Sequence, residues 1–359
     1  MKKWNVGWGP ISKCNMNCQF CYSKKKRIDA SDLKYEDWIN FINENHDFIN
    51  SINYGTGENT LSKDWFSLVL YIRNNYPHIR QALTTNGYLA LAIEDEFCKE
   101  SFLKGIDEVD VSLDFADENT HNNFRGMPNA FNLAIRTLEI CRNTNKSATI
   151  VFLGSNVNLN YQNIDGIFKI AKDYQSILRM NMYRPTEGIN EKSKQFIVTF
   201  QLFVDILKYI GNKYKIIALN DALFSTILAG TTVPDPSGYR SIRILSDGGI
   251  TPSTYLIKDN YVVTNITEHN VLQKLESENL FKTIISQHLP EECSPCVYKK
   301  QCYGGVLDRR YLWYNSLNYR DPYCPGPFLE SIDPVIHVTK TNFHSVHDGY
   351  LPTIFFSPR

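Results

Sequence analysis

Along the first 215 residues the apolar positions switch repeatedly between the period of two that suits a strand and the spacing of three to four that suits one face of a helix. Short runs rich in β-branched and aromatic residues at 4–9, 51–54, 79–85, 108–113, 148–153 and 177–182 predict six strands. Stretches 35–49, 62–76, 89–103, 130–142, 161–174 and 191–210 carry helical spacing. Alternation of this kind predicts a parallel, barrel-like sheet wrapped by helices, with its chemistry at the C-terminal ends of the strands. Residues 231–240 are dense in turn formers and predict a loop entering a second, smaller domain.

The first predicted strand is followed at once by Cys14, Cys18 and Cys21, with three and then two residues between them. Three thiolates can hold three corners of a [4Fe–4S] cube. The fourth iron then lacks a protein ligand and is open to a small molecule carrying an amine and a carboxylate. A tetrahedral zinc would want a fourth ligand close by, whereas the next histidine is His46. Far downstream, Cys293, Cys296, Cys302 and Cys324 supply four more thiolates, enough to close a second metal site completely, as zinc or as a cluster.

The first cysteine segment, with Phe20 before its last thiol, resembles the C-x3-C-x-Φ-C signature of the radical S-adenosylmethionine (SAM) superfamily. The resemblance implies an α/β fold, a partial (β/α)6 TIM-like barrel. In it, a cluster on Cys14, Cys18 and Cys21 cleaves SAM reductively to a 5′-deoxyadenosyl radical. Tyr54-Gly55-Thr56-Gly57-Glu58 resembles the family's Gly-Gly-Glu segment that receives the SAM amino group, with Thr56 in place of the first glycine. Thr84-Thr85-Asn86-Gly87, Val111-Ser112-Leu113-Asp114 and Arg125 resemble further family segments, and imply Ser112 and Arg125 at the SAM carboxylate. Phe20, Tyr22, Gly57, Glu58, Asn86, Asn181 and Tyr183 complete the SAM-binding set that the resemblance implies, the last two at ribose and adenine.

Gln301-Cys302-Tyr303-Gly304-Gly305 resembles the core of the SPASM/twitch-type extension, which carries auxiliary clusters. Val306 and Ser253 stand where further thiols would be expected, and no cysteine lies between Cys141 and Cys293. The resemblance implies a degenerate extension holding one auxiliary [4Fe–4S] cluster on Cys293, Cys296, Cys302 and Cys324, hence two clusters in the whole chain. The expected organisation is a barrel over 1–215, the auxiliary cluster domain over 216–330, and a tail over 331–359 packing on the barrel mouth.

A closed auxiliary cluster suits electron transfer or a structural role. If it takes an electron from a substrate radical, the outcome is net oxidation, a dehydrogenation or crosslink in a peptide of the ribosomally made, modified kind or in a small natural product. The alternatives are redox-neutral epimerisation of a sugar, aminocyclitol or peptide residue, and a non-catalytic zinc-stabilised module. Epimerisation wants a hydrogen donor: Cys98 and Cys141 are the unassigned thiols, although helical cysteines usually serve as small buried hydrophobes, and one of the 21 tyrosines is the other candidate. Asp114, Glu187 and Asp348 are the candidate bases by position.

With 38 basic and 38 acidic residues, nothing marks a nucleic-acid or membrane surface. The Lys24–Arg27 run reads as a solvated turn that could steer an acidic reductant of flavodoxin or ferredoxin type. No signal-peptide run and no stretch of about 18 apolar residues occurs, so a cytoplasmic setting without disulfides is expected. Only 13 residues precede Cys14, so a peptide-modifying role would call for a separate leader-peptide-binding protein.

Overall fold

In the computed structural model, which describes residues 2–286 and 289–358, the six expected strands form and run parallel in chain order. They are β1 (Trp4–Trp8), β2 (Ile49–Tyr54), β3 (Arg80–Thr85), β4 (Glu108–Ser112), β5 (Ser147–Gly154) and β6 (Ile177–Met182). Five more strands extend the sheet: β7 (Lys215–Asn220), β8 (Ser241–Ile244), β9 (Gly249–Thr251), β10 (Thr264–Asn265) and β11 (Thr353–Ser357). The order is β10-β9-β8-β1-β2-β3-β4-β5-β6-β11-β7, so one sheet runs on past the position expected to end the barrel. β8 continues the parallel set beside β1.

Helices cover the outer face because their apolar stripes bury against strand side chains that are themselves buried, such as Trp4, Ile52, Leu83 and Ile150. Local capping chemistry sets where helices start. The stretch read as one helix over 89–103 is two, Leu89–Ala92 and Glu96–Gly105, because Asp95 accepts a hydrogen bond from Cys98 N at 3.1 Å and begins the second. The stretch 191–210 likewise divides into Glu191–Lys194 and Phe200–Lys213, where Thr199 caps Leu202 N. Lys24–Asp29 is a short helix rather than a turn. A helix unforeseen in the pattern, Glu118–Arg125, ends at Gly126 in the left-handed conformation (φ +64°).

The tail does more than lie on the barrel. Ser345 Oγ and Val346 N both donate to Glu108 at the start of β4, and His347 Nδ1 lies 3.0 Å from Asp110 Oδ2 on the same strand. The chain then passes Gly7 of β1, where a Cβ would fall 1.5 Å from the Tyr350 hydroxyl. It finally enters the sheet as β11, antiparallel to both β6 and β7. None of the helices among the described residues is long and apolar enough to cross a membrane.

Candidate active site

A cavity of about 200 Å³ opens at the C-terminal ends of the parallel strands. Cys14, Cys18 and Cys21 line it together, on the loop that leaves β1. Their sulfurs sit in a field of donors: Asn86 Nδ2 is 3.7 Å from Cys14 Sγ, and Arg27 Nη2 is 3.8 Å from Cys21 Sγ. Burial raises the Cys14 thiol and pushes Cys18 up to about 11, with the Arg125 guanidinium opposing part of the latter shift. Neutral thiols of this kind would release protons on taking up metal. Their shared opening, their soft donor set and the donors around them fit a cluster held at three corners. Among the described residues no three Cys, His, Asp or Glu side chains converge as the ligands of a single ion would.

The end of β2 is shaped to meet this loop. Glu58 N donates to Lys13 O at 2.9 Å, and a Cβ on Gly57 would come within 2.5 Å of the same carbonyl oxygen. Only glycine permits that approach, at a φ of +64°. Thr56, which departs from the family's glycine, nevertheless keeps a φ of +104°, a region costly for a β-branched residue. Its hydroxyl is the compensation: Oγ1 pairs with the Tyr22 hydroxyl at 2.9 Å and accepts from Arg243 Nη2.

Of the residues implied at SAM, Phe20, Tyr22, Gly57, Asn86, Ser112, Arg125, Asn181 and Tyr183 all line the cavity. Glu58 does not. Its carboxylate is buried and accepts from Thr60 Oγ1 at 2.6 Å, Thr85 Oγ1 at 3.0 Å and Asn86 N at 2.7 Å, which ties the β2 loop to the end of β3. Desolvation raises its pKa. Arg125 directs Nε and Nη2 to Asp114 Oδ2 at 2.7 and 2.6 Å, and lies 5.1 Å from the centre of the Phe20 ring. Much of its fork is thereby committed within the protein.

Asp114 also lines the cavity, but its other oxygen accepts from Leu153 N at 2.8 Å. The remaining candidates for catalysis lie elsewhere. Cys98 and Cys141 are buried within the outer helices Glu96–Gly105 and Ala130–Asn143 and do not line the cavity. Asp348 is exposed and accepts from Asn220 Nδ2 at 3.1 Å, and Glu187 faces Lys25 at 3.6 Å.

Several wall residues escape the sequence reading: Arg179, Arg243, Thr254, Tyr255, Tyr350 and Leu351. The two arginines carried a signal, each being the single charged residue in its strand, Ile177–Met182 and Ser241–Ile244. The tail was expected at the barrel mouth, but the sequence did not show which of its residues reach the wall, because the insertion of β11 sets that.

The four downstream cysteines line one small pocket together with Leu223, Ile227 and Phe328. Burial pushes Cys293 up to about 12 and Cys324 up to about 11. Tyr303, Gly304 and Gly305 turn the chain through three successive positive φ angles, and a Cβ on Gly305 would strike Asp321 Cβ at 2.3 Å. At the two positions where thiols were missing, other structure is built in. Val306 is fully buried, and Ser253 Oγ donates to Asp308 Oδ2 at 3.3 Å.

Cysteine loop, strand-end glycines and polar groups share one cavity, and residues 8–161 match the radical SAM superfamily. That match makes residues 8–161 a radical SAM domain. The chain is 24% identical over 345 residues to the AdoMet-dependent heme synthase of Methanosarcina barkeri, a match covering 89% of this chain and 95% of that one. The Fe-coproporphyrin III synthase of the same organism is 33% identical over 168 residues, 46% of this chain and 39% of its own. Among solved structures, anSMEcpe with bound AdoMet superposes with a TM-score of 0.72 at 19% identity, covering 89% of this chain and 90% of the other. A second structure of anSMEcpe, holding AdoMet and the Cp18Cys peptide, gives 0.71 at 19% identity over 89% and 93%. At that identity the superposition establishes the fold alone.

Proposed function

We propose that this chain is a radical SAM oxidoreductase that removes a hydrogen atom from a C–H bond of its substrate, with net oxidation through one auxiliary cluster. The carrying observation is that Cys14, Cys18 and Cys21 open onto the same cavity as Gly57, Asn86, Ser112 and Tyr183. When bound, a [4Fe–4S] cluster there supplies the electron that cleaves SAM to a 5′-deoxyadenosyl radical. The chain's own residues hold and orient: Gly57 gives backbone access, Asn86 and Arg27 donate toward the sulfurs, and Phe20 and Tyr183 supply apolar wall for the nucleoside. A structural zinc at the first three thiols is disfavoured, because a tetrahedral site wants a fourth ligand close by and the next histidine in the sequence is His46.

Oxidation is favoured over epimerisation by a thiol donor because Cys98 and Cys141 lie outside the cavity. The degenerate SPASM-type extension supports the same reading. Cys293, Cys296, Cys302 and Cys324 share one pocket and would hold a [4Fe–4S] cluster able to accept the electron left on the substrate, while a proton leaves to a base. For the substrate we favour a carboxylate-bearing tetrapyrrole, since a heme synthase aligns over about nine-tenths of both chains. A peptide substrate is the second reading, supported by the peptide bound in anSMEcpe. In that case a separate leader-binding protein would assist, and in both a flavodoxin- or ferredoxin-type protein would supply electrons.

The test is anaerobic reconstitution with iron and sulfide, followed by iron counting and assay of 5′-deoxyadenosine after reduction with SAM. About eight irons per chain and nucleoside formation are expected. Zinc in place of iron, or no nucleoside, would overturn the proposal.

A further inference from the structure

Three arginines in the cavity wall are buried almost completely: Arg179, Arg184 and Arg243, the last only 1% exposed. Two of them have internal counter-ions. Arg179 Nη2 lies 2.8 Å from Asp110 Oδ2, and Arg184 Nε lies 2.6 Å from Asp308 Oδ1. The more enclosed part of Arg125 is likewise paired, with Asp114. Arg243 forms no ion pair among the described residues. Its Nη2 donates to Gly55 O and Thr56 Oγ1, the Tyr350 hydroxyl stands beside it, and Nε has no hydrogen-bond partner. All of these neighbours are neutral.

An enclosed guanidinium without an opposite charge is an expensive arrangement, because desolvation of an ion costs several kcal/mol that only a counter-charge in good geometry offsets. Structural arginines escape that cost by pairing, as Arg179 and Arg184 do. An arginine that instead faces a ligand cavity is completed by the ligand. With the Nη2 hydrogens of Arg243 given to Gly55 O and Thr56 Oγ1, its Nε–H is left free to donate a charge-assisted hydrogen bond to a carboxylate oxygen.

The origin of the surrounding wall indicates whose carboxylate this is. Arg243 comes from β8, Thr254 and Tyr255 from the loop beyond β9, and Tyr350 from the tail. None belongs to the strand-end segments implied at SAM, and Thr254 Oγ1 and the Tyr350 hydroxyl are joined at 2.6 Å into one polar ledge. We propose that Arg243 is the counter-ion for a carboxylate of the substrate, seated on the Thr254–Tyr350 ledge. The inference rests on the reading that SAM and substrate meet in this cavity, and it makes the substrate an acid.

The experiment titrates reconstituted, SAM-loaded protein with two probes, glutarate and iron coproporphyrin III, each also as its methyl ester. Wild type and Arg243→Gln are compared, with circular dichroism to establish that the variant is folded and Arg243→Lys as the conservative control. Affinity for the free acids is expected to fall at least tenfold in Arg243→Gln, more than affinity for SAM falls, and to be partly kept in Arg243→Lys. Esters should bind wild type no better than acids bind Arg243→Gln. Equal acid binding by wild type and Arg243→Gln, or a loss falling mainly on SAM, would overturn the assignment. Glutarate binding that depends on Arg243 while the porphyrin fails to bind keeps the assignment and removes the tetrapyrrole reading. If wild type cleaves SAM yet binds neither acid, the assignment fails and the radical SAM reading stands.

Discussion

Arg184, two residues past β6, pairs with Asp308 at 2.6 Å although 124 residues separate them, and neither side chain is more than 1% exposed. The pair joins the barrel rim to the cysteine-bearing part of the chain. Ser253 donates to the second oxygen of Asp308, and Arg184 lies 5.3 Å from the centre of the Tyr255 ring, so the junction forms one side of the cavity. Removing the charge of Asp308 leaves an unpaired buried cation. Asp308→Asn is therefore expected to cost about 3–5 kcal/mol in chemical denaturation. A loss below about 1 kcal/mol would mean that the pair does not hold the two parts together.

The proposed chemistry depends on the first cysteine loop. Replacing Cys14, Cys18 and Cys21 together by alanine is expected to lower iron from about eight to about four per chain and to abolish 5′-deoxyadenosine formation. Normal nucleoside yield from the triple variant would refute the role given to this loop.

Thr56 holds its positive φ with the help of two hydroxyl contacts. Thr56→Val keeps the branched shape and the strain but deletes those contacts, at an expected cost of about 1–2 kcal/mol. Thr56→Gly loses the contacts but also the strain, so it should cost less. Urea denaturation of both variants checks the order, and a more stable valine variant would contradict it.

Gly7 leaves room for Tyr350. Gly7→Ala should force the tyrosine aside, loosen the tail and lower the melting temperature. Gly7→Ala combined with Tyr350→Ala should recover part of the loss, because the clash is removed with the ring. Additive losses in the double variant would show that the two side chains are independent.

His121 predicts a pH dependence. Its Nδ1 accepts from Asp114 N at 3.2 Å, and burial, aided by the charge of Arg125, holds its pKa down to about 3. The unfolded chain takes up this proton near pH 6.5 and the folded chain does not. Stability from this group is thus complete above about pH 6.5 and falls as pH drops toward 3, at up to about 1.4 kcal/mol per pH unit. Urea denaturation of wild type and His121→Gln between pH 7 and 5 should show a steeper acid loss in wild type. Parallel curves would exclude His121 as the cause.

What the sequence determined by itself was local or periodic. Thiol spacing at Cys14–Cys21 is a property of a short loop, and the period switches that mark β1 to β6 follow from each strand being buried by its neighbouring helices. Most residues implied at SAM sit within a few positions of a strand end, so finding the strands found the cavity. Only the tertiary structure decided the rest. Pairing of β11 with β6 and β7 spans more than a hundred residues of chain, and a five-residue strand with three apolar positions announces neither its partners nor its direction. Tyr350 reaches the cavity through that pairing together with the tail's contacts to Glu108 and Asp110 on β4. The same holds for charge: Arg179, Arg184 and Arg243 look alike as single letters. Which of them found a carboxylate, and which was left facing the cavity, depended on the packing of distant segments around a centre from which water is largely excluded.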